Sequence, residues 1–506
     1  MKYVGIDLGT TYSCISVLDE MGRDPKVINV YGKSTTPSVV YFKDGTVVVG
    51  ASAKSRRKLR PEKVVEFAKR NMIKPGFQYN IDGAIYTPVD ISSFILKELF
   101  DSFRKEYPTD DFICTVTCPA GYDPKIRGFV KDAAVKAGIV TEEEKDTKLK
   151  LVNEPTAAAI SYCESEKFEK GGLMIFDLGG GTLDITVLYR DENGKYEVLA
   201  SEGKDELGGM DWDEEVEKEI FHQLSESTER SVEDLKSDVN TRNDANTLAE
   251  DIKKDLSTMD YEDEIEVGDD NINFTFSQSE FEKKTETLLN SALTLIETVR
   301  NLAVAQAKER KIPDFTIGKL ILVGGSCYMP QISKGILERY PEFTGKIAMH
   351  EPDLAISKGA AFYSRMSGSP DKVVKEILSR TFGVEVEDRN NPSYHYCDNL
   401  LFKNDTIPNF KDGTYYIYPP YRYISIKVLM NYCRDKDTQK TEEIKNCTVL
   451  NEFILELPEP PKERESVYVK FEVSVEGILT VTAKCQNVSN HCEVRIKDMD
   501  ATPTRD

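Results

Sequence analysis

The sequence has few of the residues that mark disulfide-rich, metal-binding or nucleic-acid-binding proteins. Its 506 residues include 10 cysteines, 4 histidines and 1 tryptophan, and 66 basic side chains stand against 87 acidic ones. Cys114 and Cys118 share a strand-like stretch but have no second cysteine pair or histidine pair beside them, which argues against zinc. The cysteines are therefore expected to be reduced and packed as small apolar side chains.

Long apolar runs and an excess of positive charge are also missing. No run approaches the roughly 18 apolar residues that a membrane span needs, and no leader-like segment precedes the first strand. The net charge of −21 would repel a nucleic-acid backbone. We therefore expect a cytoplasmic protein without a membrane or nucleic-acid partner. The acidic residues between 202 and 270 are interpreted as solvated helix faces.

The pattern of apolar residues changes along the chain and predicts two domains. Short apolar strands alternate with amphipathic helices up to about residue 365, which indicates mixed α/β layers. Beyond about residue 380 the apolar residues alternate with period two and no helical run follows, which indicates a β domain. The Gly-Ser-Pro run at 368–370 is expected to end the last helix. The predicted boundaries are a first domain over 1–368, a linker over 369–381 and a β domain over 382–506.

The last hairpin of the β part can be predicted in more detail. Its first strand is expected to keep apolar residues on one face through Val475, with a turn at Glu476 and Gly477. Leu479 is then expected to begin the return strand.

Two similar stretches, VGIDLGTTYS at 4–13 and MIFDLGGGTLD at 174–184, carry the strongest chemical signal. Each is an apolar strand that ends in Asp-Leu-Gly and turns back through glycine or threonine. Such a turn presents several backbone N–H groups to an anion, and glycine allows a phosphate to approach closely. The aspartate at each strand end suits Mg²⁺, usually through water. Two copies predict a duplicated fold that holds one nucleotide between its halves.

Two further glycine turns extend this pattern. ILVGGSCYMP at 321–330 leads from a strand through glycines towards a helix, which can point backbone amides at an anion or a base. DELGGMDWD at 205–213 supplies another turn of close approach. None of the four turns has the GxxxxGK[ST] pattern of a P-loop, so the sequence favours an actin-like, two-lobed ATPase.

The motifs together resemble a known family. GIDLGTTYSC, NEPTAAAISY, FDLGGGTLD, LGGMDWD and ILVGGS, in this order, are similar to the nucleotide-binding domain of the heat-shock protein 70 (DnaK-type) chaperones. The resemblance continues through the β part to about residue 496 and implies an α/β actin-like (ribonuclease H-like) ATPase domain followed by an all-β sandwich. The family's C-terminal helical lid has no counterpart in this sequence, so a short, atypical member is expected.

The resemblance implies roles for particular residues. Asp7 and Asp177 match the aspartates that hold hydrated Mg²⁺ and monovalent cations such as K⁺. Lys69 matches the lysine that positions the attacking water at the γ-phosphate of ATP, and Glu154 matches a carboxylate near that water. The implied contacts to ATP or ADP are Gly9, Thr10, Thr11, Tyr12, Gly179, Gly180, Gly181, Thr182, Gly208, Gly209, Glu250, Lys253, Lys254, Ser257, Gly324, Gly325, Ser326, Tyr328 and Asp353.

The base site departs from the family at two positions. Glu250, Lys253 and Ser257 have the spacing i, i+3, i+7 of one helix face. Lys254 and Tyr328, however, stand where the family prefers arginines that stack on adenine. The loss of two guanidinium planes predicts weaker nucleotide binding, by about 0.5–2 kcal/mol for each cation–π contact.

The residues that the family uses to couple nucleotide and peptide are only partly matched. Pro119 and Arg127 occupy the places of its proline switch, and Lys150 stands where an arginine normally contacts the J-domain co-chaperone. The linker reads VVKEILSR instead of an acidic-ended leucine run, which puts coupling in doubt. The implied groove for an extended peptide contains Leu400, Tyr415, Ile424 and Ile426, with Val428 on the same strand face, although each could equally be a core residue.

Two functions of different classes follow from these observations. The leading hypothesis is an ATP-dependent chaperone that hydrolyses ATP slowly and holds unfolded or extended polypeptides, helped by a J-domain co-chaperone and a nucleotide-exchange factor. The alternative is a non-canonical regulatory member that keeps ATP as a structural ligand and serves another chaperone as a co-chaperone or nucleotide-exchange factor. A sugar kinase is disfavoured, because it would need an acceptor site and no β appendage.

Overall fold

In the computed structural model, the chain forms two compact units. The first comprises 1–120, 132–195 and 200–372, and the second comprises 121–131, 196–199 and 373–506. The structure describes residues 1–57, 59–367, 374–388, 391, 393–433, 440–487, 490–497 and 504–505. The predicted helix end at 368–370 and the first part of the predicted linker lie outside these residues.

The helices all precede residue 367 in the described part of the chain. They are α1 Ala51–Lys54, α2 Ala68–Asn71, α3 Pro88–Glu106, α4 Pro124–Lys136, α5 Lys145–Lys148, α6 Glu154–Ser165, α7 Gly209–Thr228, α8 Val232–Ser237, α9 Val239–Asp255, α10 Gln278–Lys284, α11 Glu286–Glu309, α12 Pro330–Arg339 and α13 Ala355–Met366. Short 3₁₀ turns lie at Pro61–Lys63, Gly325–Tyr328, Pro341–Phe343 and Ile444–Asn446. No helix of the described residues joins sufficient length to sufficient apolar character to cross a lipid bilayer.

The strands of the first part of the chain are β1 Lys2–Asp7, β2 Tyr12–Asp19, β3 Lys26–Val27, β4 Thr36–Pro37, β5 Val40–Lys43, β6 Thr46–Val49, β7 Val64–Val65, β8 Tyr79–Ile81, β9 Ala84–Tyr86, β10 Phe112–Cys118, β11 Leu149–Asn153, β12 Gly171–Leu178, β13 Leu183–Arg190, β14 Tyr196–Lys204, β15 Tyr261–Val267, β16 Asp270–Phe276, β17 Ile317–Val323 and β18 Ile347–Met349. Those that follow are β19 Val374–Ile377, β20 Thr381–Glu387, β21 His395–Leu401, β22 Thr406–Ile407, β23 Asn409–Ile417, β24 Tyr423–Asn431, β25 Thr441–Glu443, β26 Thr448–Glu456, β27 Glu465–Val473, β28 Leu479–Asn487, β29 Asn490–Lys497 and β30 Thr504–Arg505.

Two main sheets of the first unit repeat one pattern of strand pairing. One has the order β11-β10-β1-β2-β3, and the other has the order β18-β17-β12-β13-β14 in this unit. In each sheet, the strand that ends in Asp-Leu-Gly has an antiparallel neighbour after the turn and a parallel neighbour on its other side. β1 is antiparallel to β2 and parallel to β10. β12 is antiparallel to β13 and parallel to β17. The duplication predicted from the two motifs is therefore present in the topology.

Helices pack on these sheets as their sequences require. α3 begins with a capping box, in which the Thr87 hydroxyl accepts from the Asp90 N–H and the Asp90 carboxylate accepts from the Thr87 N–H. Ile91, Ile95 and Leu99 follow at helical spacing and are buried, so α3 is amphipathic and packs through its apolar face. The helical stretch from Gln278 to Glu309 is divided at Thr285 into α10 and α11.

In the second unit two five-stranded sheets enclose an apolar core. Their orders are β25-β21-β20-β24-β26 and β23-β27-β28-β29-β30. Phe382 and Val428 of the first sheet and Phe471 and Val481 of the second belong to one buried cluster, which is the arrangement of a β-sandwich.

Two local predictions in this unit need correction. Part of the predicted linker is a strand, because β19 pairs with Tyr196 and Glu197 of β14 and with β22. The last hairpin strand ends at Val473, and Val475 lies exposed in the turn. The turn is wider than expected, since Ser474 and Ile478 are joined by a backbone hydrogen bond of 2.9 Å.

Candidate nucleotide site

The two Asp-Leu-Gly turns are fixed in position by hydrogen bonds to neighbouring segments. In the first turn, the Ser38 hydroxyl donates to the Gly9 carbonyl over 2.8 Å, and the Ser38 N–H donates to the Thr11 carbonyl. In the second turn, the Gly179 carbonyl accepts from the Gly209 N–H and from the Ser326 hydroxyl, each at 2.9 Å. The turns at 174–184, 205–213 and 321–330 are thus joined directly by hydrogen bonds. The turn at 4–13 lies next to them.

Glycine is required where these turns approach one another. A Cβ atom on Gly180 would lie 2.4 Å from the Thr11 methyl carbon, and one on Gly208 would lie 2.5 Å from the backbone of Gly181. Thr10 is the nearest side chain to the Cβ position of Gly181, at 3.2 Å. The turns predicted from 4–13 and 174–184 therefore meet across the two halves, as the clamp interpretation requires.

A group of buried charges lies beside this junction. Lys69, in the short helix α2, forms an ion pair with Glu154, the first residue of α6. Their side chains are only 7% and 8% exposed. Phe67 caps α2 with a left-handed backbone, φ 56°, and this turn directs Lys69 inwards. The first-turn position of Glu154 also suits a carboxylate, because the N-terminal end of a helix is electropositive.

The carboxylates around Lys69 carry more negative charge than the lysine can offset. Loss of solvent around Asp7 raises its pKa to about 7, with a further increase from Glu154, although Lys69 and the Thr117 hydroxyl act in the opposite direction. Burial raises the pKa of Asp177 well above its usual value, and Glu154, Asp184 and Asp7 add to the effect. Burial alone would lower the pKa of Lys69, but Glu154 and Asp7 reverse this and raise it.

This surplus of buried carboxylates fits a bound cation. A cation near Asp7 and Asp177 would offset the effects of burial and of neighbouring carboxylates, which together raise their pKa values. Among the described residues, no three acidic, histidine or cysteine side chains converge to ligate a metal directly. Two carboxylates at the ends of separate strands suit a hydrated Mg²⁺ that is held through water.

A second charged cluster lies at the predicted base and ribose end. Glu250 accepts hydrogen bonds from Lys54 at 2.6 Å and from Lys254 at 2.7 Å, and the Tyr12 hydroxyl donates to it at 3.2 Å. Burial would raise the pKa of Glu250, but the two lysines lower it to about 2. Lys54 was not predicted from the sequence, because it belongs to no motif and lies 196 residues from its partner.

The other predicted base contacts lie nearby. Lys253 is paired with Asp213 at 2.6 Å and donates to the Gly209 carbonyl at 3.0 Å. Ser257 lies beyond the end of α9 rather than on its face, because the helix stops at Asp255. Its hydroxyl nevertheless donates to the Lys253 carbonyl at 3.3 Å, which keeps it beside the same turn.

The turn at 324–328 completes this side of the site. Gly324 has φ 85°, and a Cβ there would lie 2.3 Å from the Leu178 carbonyl oxygen and 2.9 Å from an Asp177 carboxylate oxygen. A Cβ on Gly325 would lie 3.2 Å from Asp353. Tyr328, half exposed, hydrogen-bonds to Asp353, whose pKa burial raises.

The residues assigned to coupling lie in different surroundings. Pro119 is buried directly after β10. Within the second unit, the Arg127 Nε donates to the Tyr122 carbonyl at 3.1 Å and its terminal nitrogen donates to the Glu476 carbonyl at 3.3 Å. Lys150 in β11 donates to the Asp146 carbonyl at 2.7 Å.

The predicted peptide-groove residues divide into two groups. Ile426 is 2% exposed and belongs to the sandwich core, as does Val428. Leu400, Tyr415 and Ile424 are only partly buried against that core. The Tyr415 hydroxyl donates to Asp398 at 2.8 Å. Ile426 therefore contributes more to packing than to an open surface, and the other three remain candidates for a groove.

Comparison with known families agrees with the motifs. The model of the Hsp70 protein family matches residues 3–74 and 72–506, which is almost the whole chain. Members of this family are ATPases that bind ATP or ADP with Mg²⁺ and generally act on unfolded polypeptides. The chain therefore belongs to the heat-shock protein 70 family, with an actin-like ATPase fold followed by a β-sandwich.

Proposed function

We propose that this chain binds ATP with Mg²⁺, hydrolyses it slowly, and holds unfolded or extended polypeptide segments on its β unit. The observation that carries the proposal is the buried Lys69–Glu154 pair. It lies in the electrostatic field of Asp7 and Asp177, at the ends of two turns that contact each other. Few structural roles require so many buried charges on residues so far apart in sequence.

The reaction we propose is in-line attack of water on the γ-phosphorus. Such reactions depend mainly on positioning and on electrostatic stabilisation of the charged transition state. Lys69 would bind the γ-phosphate oxygens and orient the water, and Glu154 would accept a hydrogen bond from that water. Asp7 and Asp177 would hold the hydrated Mg²⁺. Its positive charge would offset the negative charge of the phosphates.

The remaining predicted contacts fit the same nucleotide. The backbone amides at Thr10–Tyr12 and Gly179–Thr182 would hold the phosphates, and Glu250 and Lys253 would contact the ribose. Tyr328 offers an aromatic face to adenine, while Lys254 is already paired with Glu250. We therefore propose weak to moderate nucleotide affinity. K⁺ beside Mg²⁺ and a cytoplasmic location also stay predictions.

The β unit and its partners form the second part of the proposal. Leu400, Tyr415 and Ile424 would line a groove for an extended peptide, with Ile426 beneath them. A J-domain co-chaperone near Lys150 and a nucleotide-exchange factor are the expected helpers, with coupling through Pro119 and Arg127. The predicted domain boundaries, with the first domain ending at residue 368 and the linker ending at residue 381, are part of this proposal.

The alternative is a regulatory member that binds ATP without turning it over. One observation favours it: Lys375 and Glu376 interrupt the linker sequence where the family has a leucine run, and Glu376 is buried. In that case the protein would assist another chaperone, and its retained site charges would serve nucleotide binding alone.

Single-turnover hydrolysis separates these two functions. The full chain is mixed in excess with ATP labelled at the γ-phosphate, and release of labelled phosphate is followed. We expect Lys69→Ala and Glu154→Gln to slow release by at least about 100-fold, while nucleotide binding persists. Lys97→Ala, at an exposed helix lysine, is the matched control and should leave the rate unchanged.

Two outcomes would contradict the proposal. If wild type and Lys69→Ala released phosphate equally slowly while both bound ATP, the regulatory function would be supported instead. If the wild-type chain bound no adenine nucleotide, both functions would fail.

A further inference from the structure

Half of the cysteines of this chain lie in its last part, and two of them share one polar environment. Residues 397, 433, 447, 485 and 492 are the five cysteines beyond position 390, out of 10 in all. Cys397 lies in β21 and is fully buried, whereas Cys447 follows the 3₁₀ turn Ile444–Asn446 and is partly exposed.

The two thiols are direct neighbours. Each of the two thiols influences the pKa of the other. The side-chain amide of Asn431 points at both sulfurs, with its nitrogen 3.7 Å from that of Cys397 and 3.8 Å from that of Cys447. Asn431 is itself fixed, because it donates to Asn399 at 2.8 Å and accepts from the Cys433 N–H at 2.9 Å. The same amide group therefore contacts both sulfurs.

The backbone on each side is also suited to a bond between them. β21 pairs with β25, with Cys397 opposite Glu442, and Cys447 comes five residues after Glu442 in the chain. The Cys447 thiol also lies 3.4 Å from the Glu443 carbonyl. Formation of a disulfide, with its S–S length of about 2.05 Å, requires the two sulfurs to close towards each other beside the Asn431 amide that contacts both of them.

We propose that Cys397 and Cys447 are an oxidation site that forms a reversible disulfide in response to hydrogen peroxide. Cys447, the more exposed thiol, attacks the peroxide oxygen, so that the O–O bond breaks, a sulfenic acid forms and one water leaves. The buried Cys397 thiol then attacks the Cys447 sulfur, which forms the S–S bond and releases a second water. The sulfurs lose two electrons in total, and the peroxide gains them.

The bond would change the edge of the sandwich. β25 is the edge strand of its sheet and is joined to it only through β21 in the described residues. A disulfide would tie the turn after β25 to β21, next to Asp398, which accepts the Tyr415 hydrogen bond. Oxidation would thus make this edge more rigid. Burial raises the pKa of both thiols, so we expect slow oxidation that accumulates under sustained peroxide.

Peptide mapping tests the proposal directly. The reduced full-length chain is treated with hydrogen peroxide, free thiols are blocked with iodoacetamide, and proteolytic fragments are identified by mass spectrometry. We expect a cross-linked fragment pair that contains Cys397 and Cys447, lighter than the two fragments by about 2 Da, the mass of two hydrogens. Dithiothreitol should restore the separate fragments.

Variants assign the order of the two steps. Cys397→Ser should stop the cross-link and leave a Cys447 sulfenic acid that dimedone traps, whereas Cys447→Ser should stop both products. Cys114→Ser, at a buried cysteine of the first unit, is the matched control and should leave the cross-link unchanged. No cross-link in the wild-type chain, or a bond from Cys447 to Cys433 instead, would overturn the proposal.

Amide hydrogen exchange tests the effect on the edge. In the oxidised chain, exchange at Tyr396–Asp398 and Thr441–Glu443 should slow by several-fold relative to the reduced chain. Equal exchange in both forms would overturn the proposed stiffening of this edge.

Discussion

At the scale of single residues, the two ends of the site differ in how well the protein balances their negative charges. Asp7 keeps some exposed surface, yet the protein around its carboxylate raises its pKa from 3.8 to about 7. Glu250 shows the opposite case, because Lys254 and Lys54 lower its pKa to about 2. One end of the site therefore favours an added cation, and the other is already neutralised by the protein's own lysines.

The raised pKa of Asp7 predicts how the stability of the nucleotide-free protein depends on pH. Between about pH 4 and pH 7, the folded protein keeps a proton that the unfolded chain has released, so the free energy of unfolding falls as pH rises. One proton corresponds to at most about 1.4 kcal/mol per pH unit. The free energy of unfolding, measured by urea denaturation at each pH, should fall less steeply with rising pH in Asp7→Asn than in the wild type. Asp101→Asn, at an exposed carboxylate, is the control, and an unchanged slope in Asp7→Asn would contradict the prediction.

At the scale of elements, α13 makes close backbone contacts with two of its neighbours. α13 crosses α6 at Gly359, where a Cβ atom would lie 1.8 Å from the Ala157 carbonyl oxygen. The same helix approaches β1 at Gly5, where a Cβ would lie 2.2 Å from the Ala361 nitrogen. Because backbone atoms rather than flexible side chains are in contact, neither element can shift cheaply.

The helix crossing gives a prediction about packing. Gly359→Ala should lower the free energy of unfolding by about 1–3 kcal/mol or more, because overpacking forces the two helices apart. Gly318→Ala in β17 is the matched control, since its added Cβ would have ordinary contact distance, 3.6 Å, to the Gly172 carbonyl oxygen. Chemical denaturation of both variants measures the difference, and equal stabilities would refute the argument.

At the scale of the whole molecule, the chain divides into a nucleotide-binding unit and a β unit, each with its own core. The turns that form the site all belong to the first unit, and the buried sandwich cluster belongs to the second. A ligand that binds only the folded first unit should stabilise that unit by mass action.

Calorimetry with ATP and Mg²⁺ tests this division. We expect two unfolding transitions, of which the one assigned to the first unit rises with ATP by the equivalent of about 2.7 kcal/mol at a hundred times the dissociation constant. Gly180→Ala should lose most of this shift, because its Cβ would displace Thr11. A wild-type chain that showed no shift with ATP would contradict nucleotide binding. A single transition would contradict independent units.

Local features of the fold were predictable from sequence to a large extent. The change of apolar periodicity near residue 380 and the two Asp-Leu-Gly turns are encoded among neighbouring residues, so propensity and periodicity identify them. The spacing of Ser257 predicts a position on a helix face, but α9 ends two residues earlier, at Asp255. Val475 continued the alternation of β27, yet the turn begins before it.

The sequence by itself determined the order of elements, the duplicated turns and the change from mixed α/β to β structure, because these depend on patterns among neighbouring residues. Only the tertiary structure decided that Lys54 pairs with Glu250, that Lys69 and Glu154 form a direct ion pair, and that one Asn431 amide contacts both Cys397 and Cys447. The physical reason is that such contacts, and the pKa values they set, depend on which distant groups come together and exclude water. No local pattern in the chain records that information.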